Sequence, residues 1–440
     1  MSDYPAPKPH RSLLAAAERA LPASMWHATA GAAVESDRIA DDLSCEVLVI
    51  GGGFNGLTAA LRLAEQGADC ILLEAGEIGE GASGRNAGMV NPGQFLGPAE
   101  IARQLGEEYG ETFLRELGDA PALVRQLIEA HGIDCAPDYR PVIRAAVDAK
   151  TDAMLSGQSR LWSERGEKVD MVRGADLKAM TGSDRWTAAM LDHRGFTIQP
   201  LAYARGLARA AQKAGARLLQ NQRVVSLSRA DGLWRIRTRA GLRLRAPKVI
   251  LSTNAYTGSL MPAFSETLVT SGAFGVSTRP LSERERALVL PLGHSFYDTH
   301  KIPLFFRYDP EGRLKIGSLG FLPDGERAMK KWAARVLRRL WPDLAEPEFC
   351  HVWSGTLGLT RHQLPHLISP AEGLIGTIGC NGRGIAPNSY FGRMLADITL
   401  GIAGPRPLPV ESAAPRRLRH LQTTALDMGM RLYRNTTLLN

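Results

Sequence analysis

Four consecutive apolar residues, Val47 to Ile50, run into a glycine cluster, and beyond it Leu57, Ala60, Leu61 and Ala64 recur at helical spacing as far as Gly67. The unbroken run predicts a strand buried on both faces, the recurrence predicts a helix with one apolar stripe, and the glycine predicts its end. Cys70 to Leu73 is a second apolar run, so the stretch predicts a β-α-β unit.

From about Glu100 to Arg194 the pattern changes to helical stretches such as EYGETFLRELGDAPALVRQLIEAHG, followed by the mixed stretch RPVIRAAVDAK. LAYARGLARAAQKAGA, residues 201 to 216, predicts another helix. It leads into RVVSLSR and LWRIRTRAG, which predict two antiparallel strands, and KVILSTNAYTG, which predicts a buried one. Residues 263 to 349 alternate as strands and carry the basic helix ERAMKKWAARVLRRLWP. The last third holds GLIGTIGCNGRGIAPNSYFGRMLADITLGI, a strand, a glycine turn and a helix. No internal repeat or low-complexity tract interrupts this order.

A chain of 440 residues, 44% apolar and 22% charged, is long enough for two domains or for one large domain with an inserted cap. The formal charge of +8 is spread along the chain except at APRRLRHLQ near Arg416, so it reads as solvated surface and no nucleic-acid partner is expected. Five cysteines without a CxxC pair argue for reduced thiols in a cytoplasm, against a disulfide frame and against a metal site. The N-terminal apolar run Leu13 to Ala17 is too short for a signal peptide and is broken by Glu18 and Arg19. No transmembrane segment is expected, because no stretch reaches the roughly 18 apolar residues of a span. Peripheral contact with the inner membrane through the basic tail stays open.

Gly51, Gly53 and Gly56 satisfy GxGxxG, and Glu74 closes the second strand about 18 residues later. Gly51 allows the tight turn, Gly53 lets backbone approach a pyrophosphate, and Gly56 lets helix and strand pack closely. The helix start offers free N–H groups to phosphate, and Glu74 accepts from ribose hydroxyls while repelling a 2′-phosphate. A glycine-rich turn in an ordinary parallel sheet is the alternative, but strand, turn, helix and acid all fall in place for a dinucleotide other than NADP.

After Glu74 the chain continues AGEIGEGASGRNAGMV, which resembles the GASGRNGG loop of FAD-dependent oxidoreductases of the D-amino acid oxidase, glycine oxidase and sarcosine oxidase superfamily. MWHATA, GFTIQPLAYARGLARAAQKAGARLLQNQRVVSL, ILSTNAYTG, FFRYDPEGRLKIGS, WSGTLGLTRHQLPHL and GCNGRGIAPNSYFGRMLADI resemble further landmarks of that superfamily in its order. The whole looks like the branch containing γ-glutamylputrescine oxidoreductase, from about Trp26 to Ile398. Many relatives carry Gly-x-Ser-Gly-His-Gly in the last element, where Asn381 and Arg383 stand here. That departure leaves FAD intact and loosens the transfer of substrate.

The resemblance implies an α/β fold: a Rossmann-type FAD-binding domain of the glutathione reductase kind, with a sheet-based substrate domain formed by insertions. The expected segments are residues 1–45 as an N-terminal stretch, then 46–95, 196–262 and 350–440 for FAD, and 96–195 and 263–349 for substrate. It implies FAD contacts from Gly51, Gly53, Phe54, Asn55, Gly56, Glu74 and Ala75, and from Ser83, Gly84, Arg85, Asn86, Ala87 and Gly88. Further contacts are implied for Val224 through its backbone, for Thr253, Asn254 and Gly355, and for Gly382, Arg383, Gly384 and Ile385. The last group begins a helix whose positive end suits the electron-rich pyrimidine edge of a reduced flavin.

Such enzymes move a hydride from the carbon bearing nitrogen to the flavin and leave an imine that water hydrolyses, so no catalytic triad is expected. Lys315 in GRLKIGS resembles the lysine with which sarcosine oxidases promote reaction with oxygen, its cation stabilising superoxide or peroxide character. A solvent-facing strand lysine is the alternative. Alternation in LFFRYD puts Arg307 and Phe305 on one face, where the guanidinium would hold a substrate carboxylate. His351 and Trp353 are expected in the pocket wall. Cys350 does not match the cysteine that carries flavin covalently in sarcosine oxidases, so FAD is expected to be noncovalent. The expected substrate is a secondary amino acid of the sarcosine or pipecolate kind, with a γ-glutamylated amine as the alternative. Electrons would pass to oxygen, a quinone or another acceptor. An FAD-binding electron-transfer subunit without its own amine substrate is the reading from another class.

Overall fold

The computed structural model describes residues 23–37, 43–320, 325–411 and 419–436; the apolar run at Leu13 and the arginine pair at Arg416 lie outside them. A seven-stranded sheet runs in the order Val410–Glu411, His366–Ala371, Leu374–Ile378, Lys248–Leu251, Val47–Ile50, Cys70–Leu73, Arg217–Leu219. All its neighbours are parallel except His366–Ala371 against Leu374–Ile378. Its central strands divide their side chains between two cores. Val47, Val49, Cys70 and Leu72 face the helices Phe54–Glu65, Pro200–Lys213 and Ile385–Leu400. Leu48, Ile50, Ile71 and Leu73 face Trp234, Ile236 and Leu244 of a four-stranded sheet that covers the other side. Burial on both faces is why these strands read as unbroken apolar runs.

The eight-stranded sheet runs in the order Phe349–Leu359, Val269–Pro280, Arg313–Leu319, Phe305–Tyr308, Phe296–Asp298, Val142–Ala145, Ala188–Asp192, Val169–Arg173. The amphipathic helix Gly325–Leu340 lays Met329, Trp332, Val336 and Leu337 into its core and leaves Lys331, Arg335 and Arg338 exposed. Phe349–Leu359 pairs antiparallel with Val269–Pro280 from Val269↔Leu359 to Ser277↔His351. This strand therefore lies in the eight-stranded sheet, whereas the resemblance places residue 350 onward in the FAD-binding half. The two halves meet where a Cβ on Gly355 would touch the Arg85 side chain at 3.3 Å.

Helix Pro98–His131 is longer than its sequence pattern, with Pro98 in its first turn, a break at Gly106 (φ 75°) and a left-handed end at Gly132. Among the described residues no helix is long and apolar enough to cross a membrane, and no cluster of His, Cys, Asp and Glu could hold a metal ion. Cys45, Cys70 and Cys135 are buried free thiols, pushed up to about 12 chiefly by burial.

Candidate active site

The glycine loop is held by contacts that admit no side chain. Gly51 has φ 112°, and a Cβ there would come within 2.8 Å of the Ser252 carbonyl oxygen. Gly56 is pressed onto the preceding strand, where a Cβ would overlap the Gly51 carbonyl oxygen and sit 3.2 Å from Val49 Cγ1. Gly53 caps helix Phe54–Glu65 without a side chain of its own, and the Phe54 amide donates to Ser83 Oγ at 3.1 Å. The helix therefore opens with backbone donors beside the SGRN loop. Glu74 accepts from the amides of Gly52 (2.6 Å) and Gly76 (3.0 Å). Burial raises its pKa, opposed by those two hydrogen bonds. Each carboxylate oxygen retains a lone pair for a ribose hydroxyl, whose donation would favour the charged form.

A cavity of about 780 Å³ joins this region to the eight-stranded sheet. Gly51, Gly53, Phe54, Asn55, Glu74, Ala75 and Val224 line it, and so do Ser83, Arg85, Asn86, Ala87, Thr253 and Asn254. Gly355, Gly382, Gly384 and Lys315 line the same space. Gly384 caps the helix Ile385–Leu400, giving the cavity a second amide-rich helix start. An acid, two helix N-termini and a glycine-lined passage between them fit an extended dinucleotide such as FAD.

Five residues expected against the cofactor stand behind the lining. Gly56 and Gly84 serve close packing, Gly88 (φ 73°) lies against Arg307, Ile385 is buried at the helix start, and the Arg383 side chain turns away from the cavity. Two tryptophans set the loop carbonyls. Trp353 Nε1 donates to Arg85 O at 3.0 Å and Trp26 Nε1 to Asn86 O at 2.8 Å, with the rings edge-to-face at 6.1 Å. Trp353 thus supports the loop from behind and does not form the pocket wall.

Lys315 is buried among cavity residues, and its pKa is held down to about 7, first by burial and then by the charge of Arg307. Its Nζ lies 5.8 Å from the Phe305 ring, which also lines the cavity. Arg307 is not in the lining. Its Nη1 donates to the carbonyls of Gly88 (3.0 Å) and Ile198 (2.7 Å), its Nε donates to Tyr308 O (3.1 Å), and the guanidinium lies over Trp26. A guanidinium so engaged bolts loop to sheet instead of meeting a carboxylate. His351 is also outside the cavity, its Nδ1 bonded to Ser277 Oγ at 2.9 Å and its pKa lowered by burial.

Phe95, Tyr256, Thr356 and Cys380 line the cavity without having been singled out by sequence. Tyr256 stands within ILSTNAYTG, but the bond from the Thr356 amide to its hydroxyl joins strand Phe349–Leu359 to the turn Asn254–Tyr256, a hundred residues away, and has no local signal. Asn381 (φ 51°) shapes the last turn, accepting from the Thr360 amide at 2.8 Å.

Residues 46–398 match the family described as FAD dependent oxidoreductase. The chain is 29% identical to γ-glutamylputrescine oxidoreductase of Escherichia coli (strain K12) over 391 residues, 86% of this chain and 89% of that one. The crystal structure of glycine oxidase from Geobacillus kaustophilus matches with a TM-score of 0.67 at 22% identity, over 82% of this chain and 96% of that one. L-Amino acid deaminase from Proteus myxofaciens, in complex with anthranilate, matches with a TM-score of 0.69 at 16% identity, over 84% and 93%.

Proposed function

The chain belongs to the FAD dependent oxidoreductase family, and from that premise we propose that it oxidises the C–N bond of an amine or amino acid to an imine that water then hydrolyses. FAD, when bound, supplies the two-electron acceptor for that chemistry. Gly51, Gly53 and Glu74 would hold its dinucleotide portion and the helix start at Gly384 its ring end.

The observation that carries the reading is Lys315 in the same cavity as the amide-lined helix start, with its pKa held near 7. A neutral lysine can take the proton from an incoming ammonium and free the nitrogen lone pair, and the resulting cation can favour electron transfer to oxygen. Phe305 and Phe95 supply apolar walls that keep water from the reacting carbon. Arg307 gives no support to an α-carboxylate anchor, because its Nε and Nη1 already serve carbonyls. A γ-glutamylated amine therefore fits better than a sarcosine- or pipecolate-like acid, and the similarity to γ-glutamylputrescine oxidoreductase favours the same choice. Oxygen is the acceptor consistent with Lys315, with a quinone as the other outcome.

The test is anaerobic mixing of the yellow holoprotein with a panel of amines and amino acids, followed at the flavin band near ~450 nm. Bleaching by at least one amine is expected. Failure of every amine to bleach it would favour an electron-transfer subunit.

A further inference from the structure

Behind the aromatic end of the cavity lie two buried arginines without an acid. Arg144, on the strand Val142–Ala145, and Arg383, in the turn before helix Ile385–Leu400, are 8% and 7% exposed. Their hydrogen bonds go to neutral groups: Arg144 to Gln158 Oε1 (2.9 Å) and Phe95 O (3.5 Å), Arg383 to Pro92 O (2.9 Å) and the Tyr297 hydroxyl (2.8 Å). Among the described residues no carboxylate pairs with either. Both Nε atoms are buried without a partner, and so are both amide atoms of Gln94, the residue before Phe95. Two buried cations and four unbonded polar atoms in one region are costly unless something else completes them.

The cover over this cluster is aromatic. The Arg383 guanidinium lies 4.7 Å from the Phe95 ring and 5.7 Å from the Tyr297 ring, and Arg144 lies 5.9 Å from Tyr297. Tyr297 stacks on Phe305 at 6.3 Å, and Phe305 lies against Lys315. Phe95 and Phe305 line the cavity while the arginines do not. A chain of ring contacts through Tyr297 and Phe305 therefore links Arg383 to Lys315, and the charge that shifts Lys315 is that of Arg307, with neither arginine of the cluster contributing.

We propose that Arg144, Arg383 and Gln94 form a subsite for a carboxylate carried by the substrate far from the C–N bond being oxidised, reached when the Phe95 ring turns aside. The two Nε–H groups and the Gln94 amide would donate to the carboxylate, and Gln94 Oε1 would accept from a neighbouring N–H of the same molecule. The inference rests on the amine-oxidation reading for what the ligand is, but the subsite can be tested without turnover.

The test is calorimetric titration of holoprotein, at fixed ionic strength, with straight-chain carboxylates from acetate to hexanoate and with the matching primary amides. At least one carboxylate should bind about tenfold or more tighter than its amide. That preference should fall about tenfold in Arg144→Gln and in Gln94→Leu, and Arg144→Lys should keep part of it. Gln94→Leu, which removes no charge, keeps the test valid if Arg144→Gln fails to fold. No carboxylate preference in the wild type, an undiminished preference in variants that retain bound flavin, or tighter binding of inorganic phosphate than of any carboxylate would each overturn it. Bleaching by neutral amines without a carboxylate preference would remove this subsite and leave amine oxidation standing; a carboxylate preference in a protein that no amine bleaches would do the reverse.

Discussion

Arg307 and Lys315 face one another across the ladder between Phe305–Tyr308 and Arg313–Leu319, two buried cations in direct cross-strand register. Like charges so placed repel. Three backbone carbonyls fix the arginine as a cation, its own pKa lowered only to about 10, so the proton that yields is the lysine's.

Air reoxidation of the reduced holoprotein should therefore fall as pH rises through about 7, where Lys315 loses its charge. Lys315→Met should reoxidise about 100-fold more slowly with a flat pH profile. Arg307→Gln, by removing the neighbouring charge, should move the midpoint upward. Stopped-flow mixing with oxygenated buffer checks all three, and a pH-independent wild type would contradict the assignment.

The same lysine lowers stability in a definite pH window. Its folded pKa lies below the ordinary 10.5, so the cost of burying the cation is complete below about 7 and vanishes as pH rises to the ordinary value. Lys315→Met should raise the melting temperature of the apoprotein most in mildly acidic buffer and least above pH ~10.

Gly56→Ala should be among the most damaging single changes in the nucleotide half. Its methyl would overlap the Gly51 carbonyl and force the helix off the strand. A loss of about 2–4 kcal/mol is expected, with FAD retention impaired; denaturant melts and the flavin content of purified protein measure both.

Trp26→Phe and Trp353→Phe each remove one donor to adjacent loop carbonyls, at Asn86 and Arg85. Each should weaken FAD binding by about 1 kcal/mol. Because the two rings touch edge-to-face, the double variant should differ from the sum of the singles. Fluorescence titration of apoprotein with FAD resolves the coupling, and strict additivity would mean that the tryptophans act separately.

Acid precipitation should leave all the yellow in the supernatant. Cys350 is exposed and outside the cavity; Cys380 lines it, with its sulfur accepting from Asn254 Nδ2. A coloured pellet would point to a covalent link.

The sequence by itself determined the features that depend on neighbours along the chain. A four-residue apolar run next to a glycine turn and too short for a helix suits a strand covered on both faces, and Val47–Ile50 and Cys70–Leu73 take that form. The roles of Gly51, Gly56 and Glu74 follow from the turn and the strand end on which they stand. Alternation likewise set Phe305 and Arg307 on a common face. It could not say that one would reach into the cavity while the other turned back to Gly88 and Ile198, because that depends on which loop packs behind the sheet. For the same reason Phe349–Leu359 joined the sheet of Val269–Pro280 without a local signal. Arg144, Arg383 and Gln94 come from three distant segments and meet only in the folded chain. Strand and helix periods fix which way a side chain points from its own element, and tertiary packing alone decides what it finds there.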